Sequence, residues 1–249
     1  MSWSEKIAAG DWPATVQSVA GTIVIAVFVV TFLLQAFTIP SESMEGTLLI
    51  GDYLLVDKFC YGGNSGWNRL LPYRKVRRGD IIVFHYPVNP AQDFVKRVVA
   101  LPGDRLRLIN KRVYVNGNPL PEPYAQYIKD THSSYLDNFP QTVSPAFGVE
   151  AKWWKDMPKF VEDHQLIVPD EHYFVLGDNR DDSQDSRYWG FVPRENIIGR
   201  PLVIYWSSGM ANNDLPGRPT VGDRIFHLAY ALTHWFQITR WERTFKLVR

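Results

Sequence analysis

Between Asp11 and Glu42 the 249-residue chain runs for 30 residues without a charged side chain, and no other feature limits its folding options as far. The apolar heart of this stretch, Val19 to Phe37, is about 19 residues, roughly 28 Å as a helix, against a hydrocarbon core of about 30 Å. The spacing predicts one transmembrane helix over 15–38, preceded by a leader over 1–14. A cleavable secretory signal fits less well. The apolar run exceeds the usual ~7 to 15 residues, no Ala-x-Ala follows it, and Pro40 stands at its exit. Charge does not set the orientation, because Lys6 is offset by Glu5 and Asp11, and the first basic residue beyond the stretch is Lys58.

Past the anchor the helical period vanishes. Short apolar runs sit between Gly-Asp and Asn-Gly punctuation at 48–59, 79–87, 94–109 and 112–120, and again at 172–178 and 201–206. These runs predict strands, with Asn116-Gly117 as a hairpin turn. The fold class expected is mostly β, an N-terminal transmembrane helix followed by a two-part antiparallel β unit. The stretch from about Pro121 to Pro169, rich in Pro, Ser, Tyr and Trp, reads as an inserted subdomain.

A net charge of +1 gives no nucleic-acid signature, and the single cysteine, Cys60, excludes an internal disulfide and a cysteine-based zinc knuckle. At the C-terminus, Ile225 to Thr239 carries no formal charge but is too short to span a bilayer. Beyond it Trp241, Phe245 and Val248 fall on one helical arc and Arg240, Arg243, Lys246 and Arg249 on the other. An amphipathic basic and aromatic helix over 226–249 is expected, either lying on an anionic membrane surface or packed on its own domain.

Ser41 and Ser43 follow the membrane exit directly. A nucleophilic serine needs a base, yet the chain has no G-x-S-x-G elbow and its six histidines form no triad-like motif. The candidate base is Lys96. Strand alternation places it between Phe94 and Val98, an apolar setting that disfavours the ammonium. Lowering a lysine from ~10.4 to the useful range of ~7 to 8 takes roughly 4 kcal/mol, which desolvation can supply. Patterning alone leaves a second reading open, in which Lys96 snorkels or pairs with Asp93. Calcium is a poor fit for the acidic run at 178–187: an EF-hand register begun at Asp178 or Asp181 puts Trp189 or Val192 where the bidentate Glu belongs.

Four segments, IPSESMEGTLLIGDYLLVDKF (39–59), GDIIVFHYP (79–87), FVKRVVALPGD (94–104) and GDNRDDSQDSRYWGFVP (177–193), resemble in order the boxes of bacterial type I signal peptidases, membrane-bound serine proteases with a Ser-Lys dyad. The resemblance implies Ser43 as nucleophile and Lys96 as general base. It implies an oxyanion hole from the Ser41 hydroxyl and the Ser43 backbone N–H, Ser183 orienting the lysine, and structural support from Gly177, Asp178, Arg180, Asp185 and Arg187. Ile39, Met44, Phe94 and Val95 would form a pocket for small side chains. No metal or cofactor is implied. The chain departs from the family at Glu42 and at Glu45-Gly46, beside the substrate groove, where a carboxylate would raise the lysine pKa, and at Phe94, where tyrosine is frequent.

The resemblance also implies a catalytic β core over 38–104 and 171–225 with 105–170 inserted. The implied activity is cleavage of signal peptides from exported preproteins after Ala-x-Ala-like sites. The chain would sit single-pass in the cytoplasmic membrane with its catalytic unit on the outer face, its partners being preproteins, the lipid bilayer and the secretion machinery, with no nucleic acid. Two rivals are a Ser-Lys peptidase dedicated to one pilus or conjugation protein, and a non-enzymatic membrane-tethered β module.

Overall fold

A computed structural model describes residues 12–28, 33–61, 74–128, 133–209 and 233–248. Helix α1, Trp12–Phe28, opens the described chain and buries none of its side chains. The strands follow as β1 (Leu34–Thr38), β2 (Asp52–Asp57), β3 (Ile81–His85), β4 (Asp93–Ala100), β5 (Arg105–Ile109), β6 (Arg112–Val115) and β7 (Asn118–Pro119). Short helices α2 (Ser134–Asp137) and α3 (Ala151–Asp156) precede β8 (Val161–Glu162), β9 (Gln165–Ile167) and β10 (His172–Leu176). Then come α4 (Ser186–Trp189), β11 (Val192–Pro193), β12 (Ile197–Ser207), α5 (Trp235–Ile238) and β13 (Lys246–Leu247).

The strands form two antiparallel sheets. The larger has the order β1-β2-β12-β3-β4-β10-β11, with β13 added to β12, and the smaller the order β7-β6-β5-β9-β8. Strand β12 joins the two halves of the larger sheet, pairing Ile197 and Gly199 with β3 and Arg200 to Ser207 with β2. Its register shifts between Pro201 and Val203 and again between Ile204 and Trp206. Such bulges bend a strand and accommodate a proline inside a sheet. The smaller sheet does not have a core of its own. Leu106, Val113, Leu166, Trp153 and Met157 pack in one cluster with Val99, Ala100, Phe174, Leu176 and Phe191 of the neighbouring strands.

Two sequence expectations are corrected. The helix expected over 15–38 does not reach Thr38: Leu34–Thr38 is β1, paired residue for residue with β2 from Leu34 against Asp57 to Thr38 against Tyr53. A continuous apolar run fits a helix and a sheet strand alike, and here the partner strand decides. At about 1.5 Å per residue the 17 residues of α1 extend about 25 Å. Among the described residues no helix is long and apolar enough to cross a membrane. Most of the 1–14 leader and residues 29–32 lie outside the described residues.

The helix expected over 226–249 is likewise not found where the chain is described. Residues 226–232 fall outside, and 233–248 form the one-turn α5, a series of turns and β13. Edge pairing of β13 with Val203 and Ile204 of β12 replaces the helical hydrogen bonds. Of the two placements expected for that helix, the described segment packs on its own domain, through its arginines: Arg240 donates to the Ile50 and Ser208 carbonyls and Arg243 to the Asp52 carboxylate.

Candidate active site

Thr38 ends β1, and Pro40 turns the chain into a tight 3-10 turn over Glu42–Met44 that carries Ser43. The turn is closed by Glu45 N–H on the Glu42 carbonyl at 2.9 Å and by Leu48 N–H on the Met44 carbonyl at 2.8 Å. Met44 is 1% exposed and packs with Ile39, Leu48 and Leu54, so the apolar side chain beside Ser43 fixes the turn to the sheet. Strand β4 supplies the opposing group. Lys96 lies opposite Ile82 of β3 and is 4% exposed. Its Nζ donates to Ser43 Oγ at 2.7 Å and to the Val95 carbonyl at 3.2 Å.

Burial drives the Lys96 pKa from its ordinary 10.5 down to about 8, against the opposing pull of Asp185 and Asp178. The carboxylates that resist the shift are therefore these two buried aspartates and not Glu42. The alternative pairing with Asp93 is not made, since Asp93 receives His85 Nδ1 at 2.8 Å. The Phe94 ring centroid lies 5.4 Å from Nζ, and Tyr86 stacks on Phe94 at 4.5 Å.

Ser41 Oγ lies 3.3 Å from Ser43 Oγ. Ser183 is buried at 5% exposure, but its Oγ makes no hydrogen bond among the described residues, so the contact to Lys96 implied by resemblance is absent here. Gly177 stands between these groups. A Cβ there would come within 2.3 Å of Ser183 Oγ and 2.4 Å of the Ser43 carbonyl oxygen, so only glycine allows this approach. Its N–H donates to Asp185 Oδ2 at 3.2 Å and its carbonyl accepts from Arg180 Nε at 3.1 Å. Arg187 grips Asp185 with two bonds of 2.9 Å, and Arg180 pairs with Glu122.

Ile39, Met44, Phe94 and Val95 line, with Ser41, Ser43, Lys96 and Ser183, a cleft of about 690 Å³. Phe37 and Phe147 add apolar walls that sequence reasoning missed. It missed Arg97 as well, which donates to both Asp178 oxygens at 2.8 and 2.7 Å and lays its guanidinium 4.0 Å over the Tyr124 ring. A charged pair, Lys96-Arg97, inside an apolar strand was the available signal, because alternation sends the two to opposite faces and each needs its own partner. Thr47, whose hydroxyl donates to Asp178 at 2.6 Å, and Asn179, whose N–H donates to the Ser43 carbonyl at 3.2 Å, tie the serine turn to the 177–187 loop. A serine hydroxyl in contact with a desolvated lysine, with donors beside it, is equipped for acyl transfer.

Residues 12–206 match the family model described as signal peptidase, peptidase S26. The chain is 38% identical over 192 residues to a signal peptidase I of Pseudomonas fluorescens, covering 71% of this chain and 66% of that relative. It is 38% identical over 209 residues to one of Pseudomonas aeruginosa, covering 77% and 72% of the two chains. A third relative, a signal peptidase I of Aquifex aeolicus, is 37% identical over 217 residues, with 74% and 81% covered. A match of this extent across the strands that hold Ser43, Lys96 and the 177–187 loop places the chain in the signal peptidase family, peptidase S26.

Proposed function

We propose that this serine endopeptidase of the signal peptidase I family cuts exported preproteins after Ala-x-Ala-like sites, with Ser43 as nucleophile and Lys96 as general base. The observation that carries the assignment is the 2.7 Å contact between Lys96 Nζ and Ser43 Oγ at a lysine whose pKa burial lowers to about 8. With Lys96 neutral, its lone pair takes the Ser43 proton as Oγ adds to the scissile carbonyl. The oxyanion is held by the Ser41 hydroxyl and the Ser43 N–H. Collapse breaks the C–N bond, and the departing amine receives the proton from Lys96. A water then gives one proton to Lys96 as its oxygen attacks the acyl ester, and collapse breaks the ester C–O bond, releases the new C-terminal acid and returns the proton from Lys96 to Ser43 Oγ.

Ile39, Met44, Phe94 and Val95 form the wall that admits small side chains, and Gly177, Asp178, Arg180, Asp185 and Arg187 support the serine turn and the lysine. Ser183 sits within reach of the same place and orients the lysine once substrate is bound. The catalytic core comprises 38–104 and 171–225 with 105–170 inserted, in keeping with the smaller sheet falling wholly within Arg105–Ile167. Helix α1, which exposes Val16, Ile23, Val24, Ile25 and Phe28, forms the described part of a single-pass anchor in the cytoplasmic membrane, with the cleft on its outer face near the secretion machinery. The exposed rings of Trp235, Phe236 and Trp241 meet the same bilayer.

The test is cleavage of a preprotein with an Ala-x-Ala site by the full chain in detergent, read by product mass. Wild type is expected to cut once after the second Ala, with Ser43→Ala and Lys96→Ala inert though folded. Either variant cutting as wild type does overturns the dyad.

A further inference from the structure

The residues after 206 lie beyond the family match, yet the described part of them enters the core directly behind Ser43. Strand β3 leaves β12 at Gly199, and the terminal segment continues along β12. Val248 N–H donates to the Leu202 carbonyl at 2.9 Å, Phe245 N–H to Ile204 at 2.6 Å and Arg240 N–H to Ser207 at 2.8 Å. Val248 is 6% exposed and joins the cluster of Ile39, Met44 and Leu48.

The polar half of this docking is more specific. Asp52 is completely buried, and its carboxylate accepts Leu49 N–H at 2.9 Å and Ser207 Oγ–H at 2.6 Å. Among the described residues its one cationic partner is Arg243, whose Nε and Nη2 both reach the carboxylate. The same Nη2 donates to the Thr47 carbonyl at 3.0 Å. Thr47 is also gripped from the opposite side, its hydroxyl giving to Asp178 and accepting from Arg97 Nη2 at 3.2 Å. The turn from Ser43 to Leu49 is thus held between two arginine–aspartate pairs, a fully buried one within the family-matched region and one in which a part-buried arginine reaches back from the C-terminus to a buried aspartate.

We infer that the C-terminal segment 239–248 is a positioning element of the active site, in which Arg243 fixes the Ser43 turn through the Thr47 carbonyl and the Asp52 carboxylate. The inference rests on Ser43 being the nucleophile. Arginine suits the place because its planar fork serves a carboxylate and a carbonyl at once, which a lysine ammonium on a flexible stem does not. Displacing the turn separates Ser43 from Lys96 while Ile39, Phe94 and Val95 of the cleft wall stay in place, so the effect falls mainly on kcat and much less on KM.

The test compares full-length wild type, Arg243→Lys, Arg243→Ala and the neutral pair Arg243→Met with Asp52→Asn, on one preprotein substrate, well below each thermal midpoint. Arg243→Lys keeps a cation for Asp52 and is expected to lose about tenfold in kcat with KM within about twofold and a midpoint near wild type. Arg243→Ala loses more kcat and also melts earlier, since a buried carboxylate is left unpaired. The neutral pair is expected to recover the midpoint but not kcat, because the Thr47 carbonyl stays without its arginine donor while the hydroxyl contacts alone remain. Recovery of kcat together with the midpoint would show that the segment acts through stability alone and overturns the inference. Wild-type kcat in Arg243→Lys overturns it too, and decides the matter even if Arg243→Ala does not fold. Ser43→Ala is measured alongside. If it still cuts, the nucleophile assignment has failed whatever Arg243 does, whereas an inert Ser43→Ala beside a fully active Arg243→Lys sinks the positioning role only.

Discussion

Replacing Lys96 by methionine removes the base and is expected to make the protein more stable at neutral pH. In the fold the lysine pKa falls from 10.5 to about 8 because Nζ is buried, with Asp185 and Asp178 opposing. At about 1.4 kcal/mol per pH unit, that drop means the folded state carries about 3 kcal/mol of disfavoured charge wherever Lys96 is protonated. Below pH 8 both folded and unfolded chains hold the proton, so the penalty is present in full. Between about 8 and 10.5 the unfolded chain binds more protons than the folded one, and stability rises with pH; above 10.5 the penalty is gone. Methionine of similar length avoids the charge but forfeits the bond to Ser43, worth about 1 kcal/mol. Lys96→Met should therefore be more stable than wild type by about 2 kcal/mol at pH 7, a rise in midpoint of about 4 to 8 °C, and less stable by about 1 kcal/mol near pH 10.5. The assay is a thermal melt of both proteins across pH 6.5 to 10.5. Taking the difference between the two cancels every other titrating group. The same titration governs turnover: kcat/KM of wild type should climb about tenfold per pH unit and level off near pH 8. An acid limb near 10.5, or a stability difference that does not change with pH, refutes the buried-lysine argument.

Ser41→Ala, which deletes the hydroxyl 3.3 Å from Ser43 Oγ, should lower kcat by about 10² to 10³ with little change in KM, read by steady-state cleavage. Gly177→Ala forces a methyl to within 2.3 Å of Ser183 Oγ and 2.4 Å of the Ser43 carbonyl; a variant within twofold of wild-type activity would show that the loop gives way freely. Arg97→Met strands the Asp178 carboxylate, 1% exposed, and should cost about 3 to 5 kcal/mol of stability by thermal melt. Because Asp178 raises the Lys96 pKa, the acid limb of any surviving activity should also move to higher pH.

The longer strands were legible because their signals are local, whereas Ser43 and Lys96 were singled out by the ordered motifs, since patterning alone left Lys96 free to snorkel or pair with Asp93. Asn116-Gly117 with both residues at positive φ, the alternation of β2 and the apolar flanks of Lys96 need no knowledge of the rest of the chain. Leu34–Thr38 was not legible as a strand, since LQAFT reads as the end of an apolar helix until β2 is placed beside it. The tail failed for a related reason. The helical wheel groups Val248 with Trp241 and Phe245, yet the segment is turns and a short strand that buries Val248 alone of the three, and the side its arginines face depends on a buried carboxylate at Asp52, some 190 positions away. Once that acid is in the core, Arg240 and Arg243 turn inward, and Trp241, Phe245 and Leu247 are left outside. Ser183 lines the same cleft as Lys96, but its hydroxyl makes no hydrogen bond among the described residues.

A lysine base imposes a condition on its surroundings that a histidine base does not. Histidine titrates near neutrality unaided and tolerates a carboxylate partner, which raises its pKa only modestly out of range. Lysine must be pushed down by more than two pH units, so any bare carboxylate nearby works against catalysis. Asp178 and Asp185 both lie close enough to oppose the shift, yet both also hold the serine turn and the 177–187 loop in place. The structure reconciles the two demands by giving each acid an arginine with two bonds, Arg97 on Asp178 and Arg187 on Asp185, all four groups buried. An arginine–carboxylate pair is close to neutral from a distance, so it holds backbone as firmly as a lone carboxylate does while exerting less field on Lys96. Arg97 and Arg187 thus favour the neutral lysine without touching it, while burial remains the larger influence. Arg243 on Asp52 extends the same arrangement to the far side of the turn, where a third buried acid can order the chain without raising the lysine.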